Sequence, residues 1–233
     1  LKIIVYTDNV NAFEKYFTGI SQISYRKIDA AQIKKWRGAI DFVHRVKVEI
    51  LKEVSEQYHD DVFYVDGDTL FLDSPIKLFK LVDNKNSLMH ICENVISAGK
   101  DPLSKKIKKY LKKYQPDISI HTSMWNAGVL GISKSVSNCY QQVLDLTDKM
   151  YSQYPKHVME QLAFSYVLQN QTQIHPADKV ILHYWNQKDE YQILINTFLE
   201  QNLDLATVQK NWNQIQWPAA PSPKLNWIQK IKK

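Results

Sequence analysis

Short apolar runs alternate with stretches of helical periodicity along most of this chain, and that alternation predicts an α/β fold. Ile3–Tyr6 reads as a buried strand running into the loop Thr7-Asp8-Asn9, and Ile23–Ile28 alternates as a second strand. Asp29, with Gln32 three residues on, is a capping-box-like helix start, and Gly38 interrupts that helix. Asp41–Gln57 is helical in pattern, with Val43, Val46, Ile50 and Val54 as its apolar stripe. Val62–Val65 is apolar throughout, as a strand covered on both faces must be. Ser74-Pro75 predicts the cap and first turn of a short helix reaching Val82. Further strands are expected at Ser87–Cys92, Gly128–Ser133 and Val180–His183, and further helices at Asp101–Tyr114, Ser135–Tyr151 and His157–Leu168. The pattern weakens from Asn202, and Trp217-Pro218 through Pro223 reads as a proline-interrupted linker before a basic end, Trp227–Lys233. These elements predict one domain over residues 1–200, with a mixed, mostly parallel sheet flanked by helices, and a helical, basic tail over 201–233.

The 233 residues are enough for one domain with a substantial core, and 44% hydrophobic with 23% charged residues is a globular composition. No apolar run approaches the roughly 20 residues that span a bilayer. The chain starts at Leu1 directly in a strand pattern, so a preceding segment is expected. Cys92 and Cys139 form neither a CxxC pair nor a disulfide framework, and a reducing, cytoplasmic setting is expected. The net charge of +6 is matched by the six lysines of Lys105–Lys113, so the basic character is local. A general nucleic-acid surface is therefore not indicated. The lysine-rich helix and the tail read either as solvated faces or as a peripheral contact with an anionic membrane.

The strongest chemical signal is Phe63-Tyr64-Val65-Asp66-Gly67-Asp68-Thr69-Leu70. Asp66 and Asp68 are two apart, so in extended backbone they point the same way. They also stand where an apolar strand ends, the edge at which open α/β sheets form their ligand crevice. Carboxylates held this close repel unless a cation lies between them, and Mg²⁺ or Mn²⁺ would take their oxygens and leave positions for a diphosphate. Gly67 keeps the backbone slim there. An Asp-Gly turn with no ion is the alternative. Lys47 falls on the stripe of its helix, and an inward lysine must snorkel or meet an anion. Asn126-Ala127-Gly128 sets an amide and two small residues before a strand, suited to sugar hydroxyls and a sugar ring. Glu160-Gln161 offers a carboxylate beside an amide at a helix start, and His183 ends an apolar run as a candidate third ligand for Mn²⁺.

In this order, Lys47, Asp66 with Asp68, Asn126-Ala127-Gly128, Glu160-Gln161 and His183 resemble the motifs of the glycogenin-like and lipopolysaccharide-galactosyltransferase-like glycosyltransferases of the GT-A type. The resemblance spans residues 1–190. It implies a Rossmann-like GT-A domain lacking its first strand, with Asp8 near the nucleotide base. It also implies donor contacts from Lys47, Asp66, Gly67, Asp68, Asn126, Ala127 and Gly128, with Asp66, Asp68 and His183 as metal ligands. Asn126, Glu160 and Gln161 would then orient the sugar or the acceptor hydroxyl. The implied reaction is metal-dependent transfer from a nucleotide-diphosphate sugar, UDP-linked and with retention, to a glycan or lipid-linked acceptor. Two departures stand out. The family's closing His-x-x-Gly-x-x-Lys has Asn186 for its glycine and Lys188 one residue early, and residues 93–122 form an insertion where the acceptor normally binds.

Two other readings remain. Haloacid-dehalogenase-like phosphatases also place Asp-x-Asp and then Thr-Leu after an apolar strand, but with one more residue before the Thr and on the first strand. A nucleotide-sugar-binding protein without turnover would keep the same residues.

Overall fold

The computed structural model describes residues 1–218, so the expected basic end Trp227–Lys233 lies outside the described residues. In chain order the first elements are β1 (Ile3–Thr7), α1 (Asn11–Phe17), β2 (Ile23–Lys27), α2 (Ala30–Arg37), α3 (Arg45–Tyr58), β3 (Val62–Val65), β4 (Thr69–Phe71) and α4 (Ile76–Phe79). There follow β5 (Asn86–Met89), β6 (Cys92–Val95), α5 (Pro102–Tyr114), β7 (Ser123–Trp125), β8 (Val129–Ile132) and α6 (Cys139–Gln153). The last are α7 (Met159–Gln171), β9 (Gln173–Pro176), β10 (Ile181–His183), α8 (Lys188–Gln201) and α9 (Leu205–Asn211). The architecture is α/β, as the alternation of the sequence predicts.

The chain packs as two compact units. One contains residues 1–36 and 187–218. In it β1 and β2 pair in parallel, Ile3 opposite Ile23. Asp29 begins α2 as expected, its Oδ1 accepting the Gln32 N–H at 2.8 Å. Trp217 stacks on Tyr191 of α8 with centroids 5.9 Å apart, so the described part of the tail has an apolar seat within this unit.

The other unit, residues 37–186, carries a four-stranded sheet in the order β3-β8-β5-β9. Strands β3 and β5 both run antiparallel to β8, and β9 joins β5 in parallel. Two antiparallel ribbons, β4 with β10 and β6 with β7, complete it. The sheet is mixed, as expected, but parallel pairings are the minority, since β8 runs antiparallel to both of its neighbours and only β9 joins in parallel. The core lies between β8 and helices α3, α5, α6 and α7, around Leu51, Leu111, Tyr140, Phe164 and Leu130. Helix α7 is apolar nearly all round and is buried along most of its length, Glu160 and Gln161 included.

Several boundaries differ from the sequence reading. Helix α3 starts at Arg45, after Asp41 in the left-handed region (φ 50°), and Val43 is 54% exposed. Its buried face is Val48, Leu51 and Ser55 rather than the Val43 stripe. Helix α4 is only four residues long, and Ser74 does not cap it. The expected strand Ser87–Cys92 divides into β5 and β6. Cys92 and Cys139 are free. No described helix is long and apolar enough to cross a membrane.

Candidate active site

Strand β3 delivers Asp66 to its position. The Asp66 N–H donates to the Gly128 carbonyl at 2.8 Å, extending the β3–β8 ladder by one bond. The Thr69 hydroxyl then donates to the Asp66 carbonyl at 2.7 Å and folds the chain into β4. Because β4 pairs with β10, His183 stands opposite Thr69, and the Tyr184 N–H donates to the Asp68 carbonyl at 3.0 Å. Sheet pairing thus brings His183 to Asp68, 115 positions away in the chain. Its Nε2 lies 3.2 Å from Asp68 Oδ1 and 3.6 Å from Asp66 Oδ2. One ligand atom from each of the three residues falls within 4.8 Å of the others.

Asn126 decides what His183 presents to the carboxylates. Its Oδ1 accepts the Gly128 N–H at 2.9 Å and faces His183 Nδ1 at 2.9 Å, while its Nδ2 donates to Glu93 Oε1 at 3.2 Å. An amide oxygen can only accept, so this network puts a proton on Nδ1, and in the neutral imidazole it is then Nε2 that turns a lone pair to Asp66 and Asp68. Two carboxylates and an imidazole lone pair are all acceptors, and such a convergence fits a divalent cation of the Mn²⁺ or Mg²⁺ kind. An ordered hydrogen bond from the far nitrogen is also how ligating histidines are normally held. Gly128 makes the seat possible, since a Cβ there would overlap the His183 ring. The space left by its missing side chain is therefore filled by histidine.

Behind the carboxylates lies Lys47, with a side chain only 10% exposed. Its Nζ donates to the Ala127 carbonyl at 2.9 Å and meets Glu160 at 3.1 Å and Asp66 Oδ1 at 3.6 Å. Burial alone would lower the Lys47 pKa, but the Glu160 and Asp66 carboxylates outweigh it and raise the value above the ordinary lysine range. Burial raises the Glu160 carboxyl, with Lys47 opposing. The Glu160–Lys47 contact is an ion pair without hydrogen-bond geometry at Oε1.

The structure gathers Lys47, Asp66, Asp68, Asn126, Ala127, Gly128, Glu160 and His183 through these contacts. Gln161 joins them through Glu93, its Nε2 donating to Glu93 Oε2 at 2.8 Å. Gly67 is exposed, and a Cβ on it would meet nothing within 4 Å. Asp8 is exposed just after β1, in the other unit. Three residues belong to the cluster that the sequence reading did not single out. Tyr64 donates to Asp66 Oδ1 at 2.5 Å, and burial, followed by the charge of Asp66, keeps its phenol protonated well past the usual range. Its position two before Asp66, on the same face of a strand, was a readable signal. Glu93 follows a strand start with nothing to mark it. His90, 8% exposed, faces the Ile181 carbonyl through Nε2 at 3.0 Å and packs edge-on against His183, with centroids 5.4 Å apart. Burial and the proximity of His183 push its pKa down to about 4, so it is neutral at physiological pH.

No family model matches the chain, and no curated protein matches it. Solved structures to which it is similar include the galactosyltransferase LgtC in complex with donor and acceptor sugar analogues. There the identity is 15% and the TM-score 0.39, over 71% of this chain and 70% of that one. They also include the glycosyltransferase GlyE of Streptococcus pneumoniae TIGR4, at 15% identity and a TM-score of 0.42, over all of this chain. The chain spans 60% of the length of GlyE.

Proposed function

We propose that this protein is a glycosyltransferase that takes a sugar from a nucleotide-diphosphate donor, UDP-linked in this reading, and transfers it with retention to a glycan or lipid-linked acceptor. The observation that carries the proposal is the convergence of Asp66, Asp68 and Nε2 of His183 beside the buried cation of Lys47. Asp66, Asp68 and His183 would hold Mn²⁺ or Mg²⁺. When bound, such an ion neutralises the charge that builds on a departing nucleotide diphosphate, the electrostatic contribution that dominates transfers of this kind. Lys47 stays protonated and holds Asp66 in place while adding positive potential behind it. Asn126 keeps His183 in its ligating tautomer, and Glu160 balances Lys47. We assign Gln161 and Glu93, joined by their hydrogen bond, to orienting a hydroxyl of the sugar or the acceptor. Asp8 remains our candidate for the base.

The phosphatase alternative needs the first aspartate free to attack phosphorus. Here Asp66 already receives the Tyr64 hydroxyl and lies beside Lys47, and a histidine completes the acceptor set, which favours ligation over attack.

A thermal-shift panel of nucleotide diphosphates and nucleotide sugars, with and without Mn²⁺, tests the proposal on the wild type and Asp68→Ala. Metal-dependent stabilisation by one nucleotide class, absent in the variant, is expected. Stabilisation that ignores both the metal and Asp68 would defeat it, as would phosphate release from simple monoesters.

Helix α5 supports a second part of the proposal, peripheral contact with an anionic membrane that carries the acceptor. Its apolar face, Leu103, Ile107, Tyr110 and Leu111, is consumed by the core. The exposed face carries Lys105, Lys106, Lys109, Lys112 and Lys113. At about 1 kcal/mol per lysine near an anionic surface, five are enough for measurable adsorption. Flotation with phosphatidylglycerol vesicles but not phosphatidylcholine vesicles, lost when these lysines become glutamine, is expected. Equal behaviour towards both vesicles would remove this part.

A further inference from the structure

We infer that Tyr64 is a positioning residue that gives the two oxygens of Asp66 different tasks, an assignment that rests on Asp66, Asp68 and His183 holding a divalent ion. The alternation of a strand puts Tyr64 two residues before Asp66 and on the same side, so the phenol reaches along β3 to its neighbour's carboxylate. The hydroxyl donates to Oδ1 at 2.5 Å, and Lys47 Nζ lies 3.6 Å from that same oxygen. The other oxygen, Oδ2, faces His183 Nε2 at 3.6 Å. The backbone on which the carboxylate turns is pinned by the Asp66 N–H bond to the Gly128 carbonyl at 2.8 Å. One oxygen is thus tied to the protein and the other is turned towards Asp68 and His183.

The phenol does something here that Lys47 does not. Lys47 is shared among Glu160, the Ala127 carbonyl and Asp66, and its approach to Asp66 is the longest of the three. It also lies over the Tyr64 ring, 5.5 Å from its centre. Without the hydroxyl, the remaining pull on Oδ1 comes from a cation, and the carboxylate is free to turn towards Lys47 and withdraw Oδ2 from the site. A hydrogen bond that orients a ligating carboxylate typically contributes 10- to 100-fold in metal affinity. Tyr64 accordingly sets how tightly the site holds its ion.

The experiment titrates Mn²⁺ into the full chain and follows the free-ion signal by electron paramagnetic resonance. The wild type is compared with Tyr64→Phe, Tyr140→Phe and Asp68→Ala. Tyr64→Phe keeps the ring and removes only the hydroxyl. Tyr140 is a buried tyrosine of the core whose hydroxyl has no hydrogen-bond partner among the described residues, so it controls for loss of any buried phenol oxygen. The expected result is a Mn²⁺ Kd raised about 10- to 100-fold in Tyr64→Phe. Tyr140→Phe should match the wild type, Asp68→Ala should abolish binding, and metal-free melting of Tyr64→Phe should stay near the wild-type value. Unchanged affinity in Tyr64→Phe beside lost affinity in Asp68→Ala would overturn the role of Tyr64 and leave the metal site standing. An equal loss in Tyr140→Phe would also overturn it, and a wild type that binds no Mn²⁺ would overturn both readings.

Discussion

Replacing Lys47 with methionine should expose how the site is held together before any ion arrives. The side chains of Lys47 and Glu160 are 10% and 4% exposed and 3.1 Å apart, so neither has water to fall back on. Removing one partner of such a pair typically costs about 3–5 kcal/mol, because the other charge is left buried. For a chain of this size each kcal/mol moves the melting temperature by about 2–4 °C, so the low end of that cost predicts a fall of about 6–12 °C. The loss should depend on pH. The folded-state pKa of Glu160 is raised by burial, and Lys47 is what restrains it. In the variant that restraint is gone, so Glu160 keeps its proton to higher pH. A carboxyl with a raised folded pKa lowers stability as pH climbs past its unfolded value of about 4.3. The gap between wild type and Lys47→Met should therefore be small near pH 5 and widen towards pH 8. The double variant Lys47→Met/Glu160→Gln should recover much of the loss, since it removes the stranded charge. Circular-dichroism melts across that pH range are the assay. A variant melting within about 2 °C of wild type at pH 8 would refute the reasoning, since the low end alone predicts more. A double variant no better than the single one would refute it too.

Gly128→Ala places a methyl where the His183 ring stands, and His183 is held by Asn126 on one side and faces Asp68 on the other. Overpacking of this kind costs about 1–3 kcal/mol, so a moderate fall in melting temperature should accompany a larger loss of Mn²⁺ affinity, read by paramagnetic-resonance titration. Unchanged affinity would show that His183 can shift without consequence. At the start of α5, Asp101 accepts the Ser104 N–H at 2.9 Å, and Asp101→Ala should destabilise the protein by about 1 kcal/mol without affecting ion binding. Calorimetry that finds no shift would mean that the cap is redundant.

What the sequence determined by itself is local. The apolar tetrad Val62–Val65 and the spacing of Asp66 and Asp68 required only that a strand end in a turn, because strand alternation is a property of the backbone. Asp29 marked the start of α2, because caps act within one turn, and the helix expected over Asp101–Tyr114 matches α5. Lys47 was readable as inward-facing even though the stripe assigned to its helix was misplaced. The chain around residues 41–44 bends through a left-handed residue instead of continuing a helix, and periodicity cannot register that.

Tertiary structure alone decided the rest. The pairing of β4 with β10 brings His183 to Asp68, and the position of Gly128 opposite Asp66 made it the histidine's seat. Asn126 looked like a hydroxyl-binding amide, but packing turned both ends of its side chain to protein partners, His183 and Glu93. Glu93 has no readable pattern, since its importance comes from partners 33 and 68 residues away. The direction of the strands was also outside the reach of periodicity, which is the same for parallel and antiparallel neighbours. Contacts across such separations are fixed by sheet register and core packing, and a sequence read without partners contains neither.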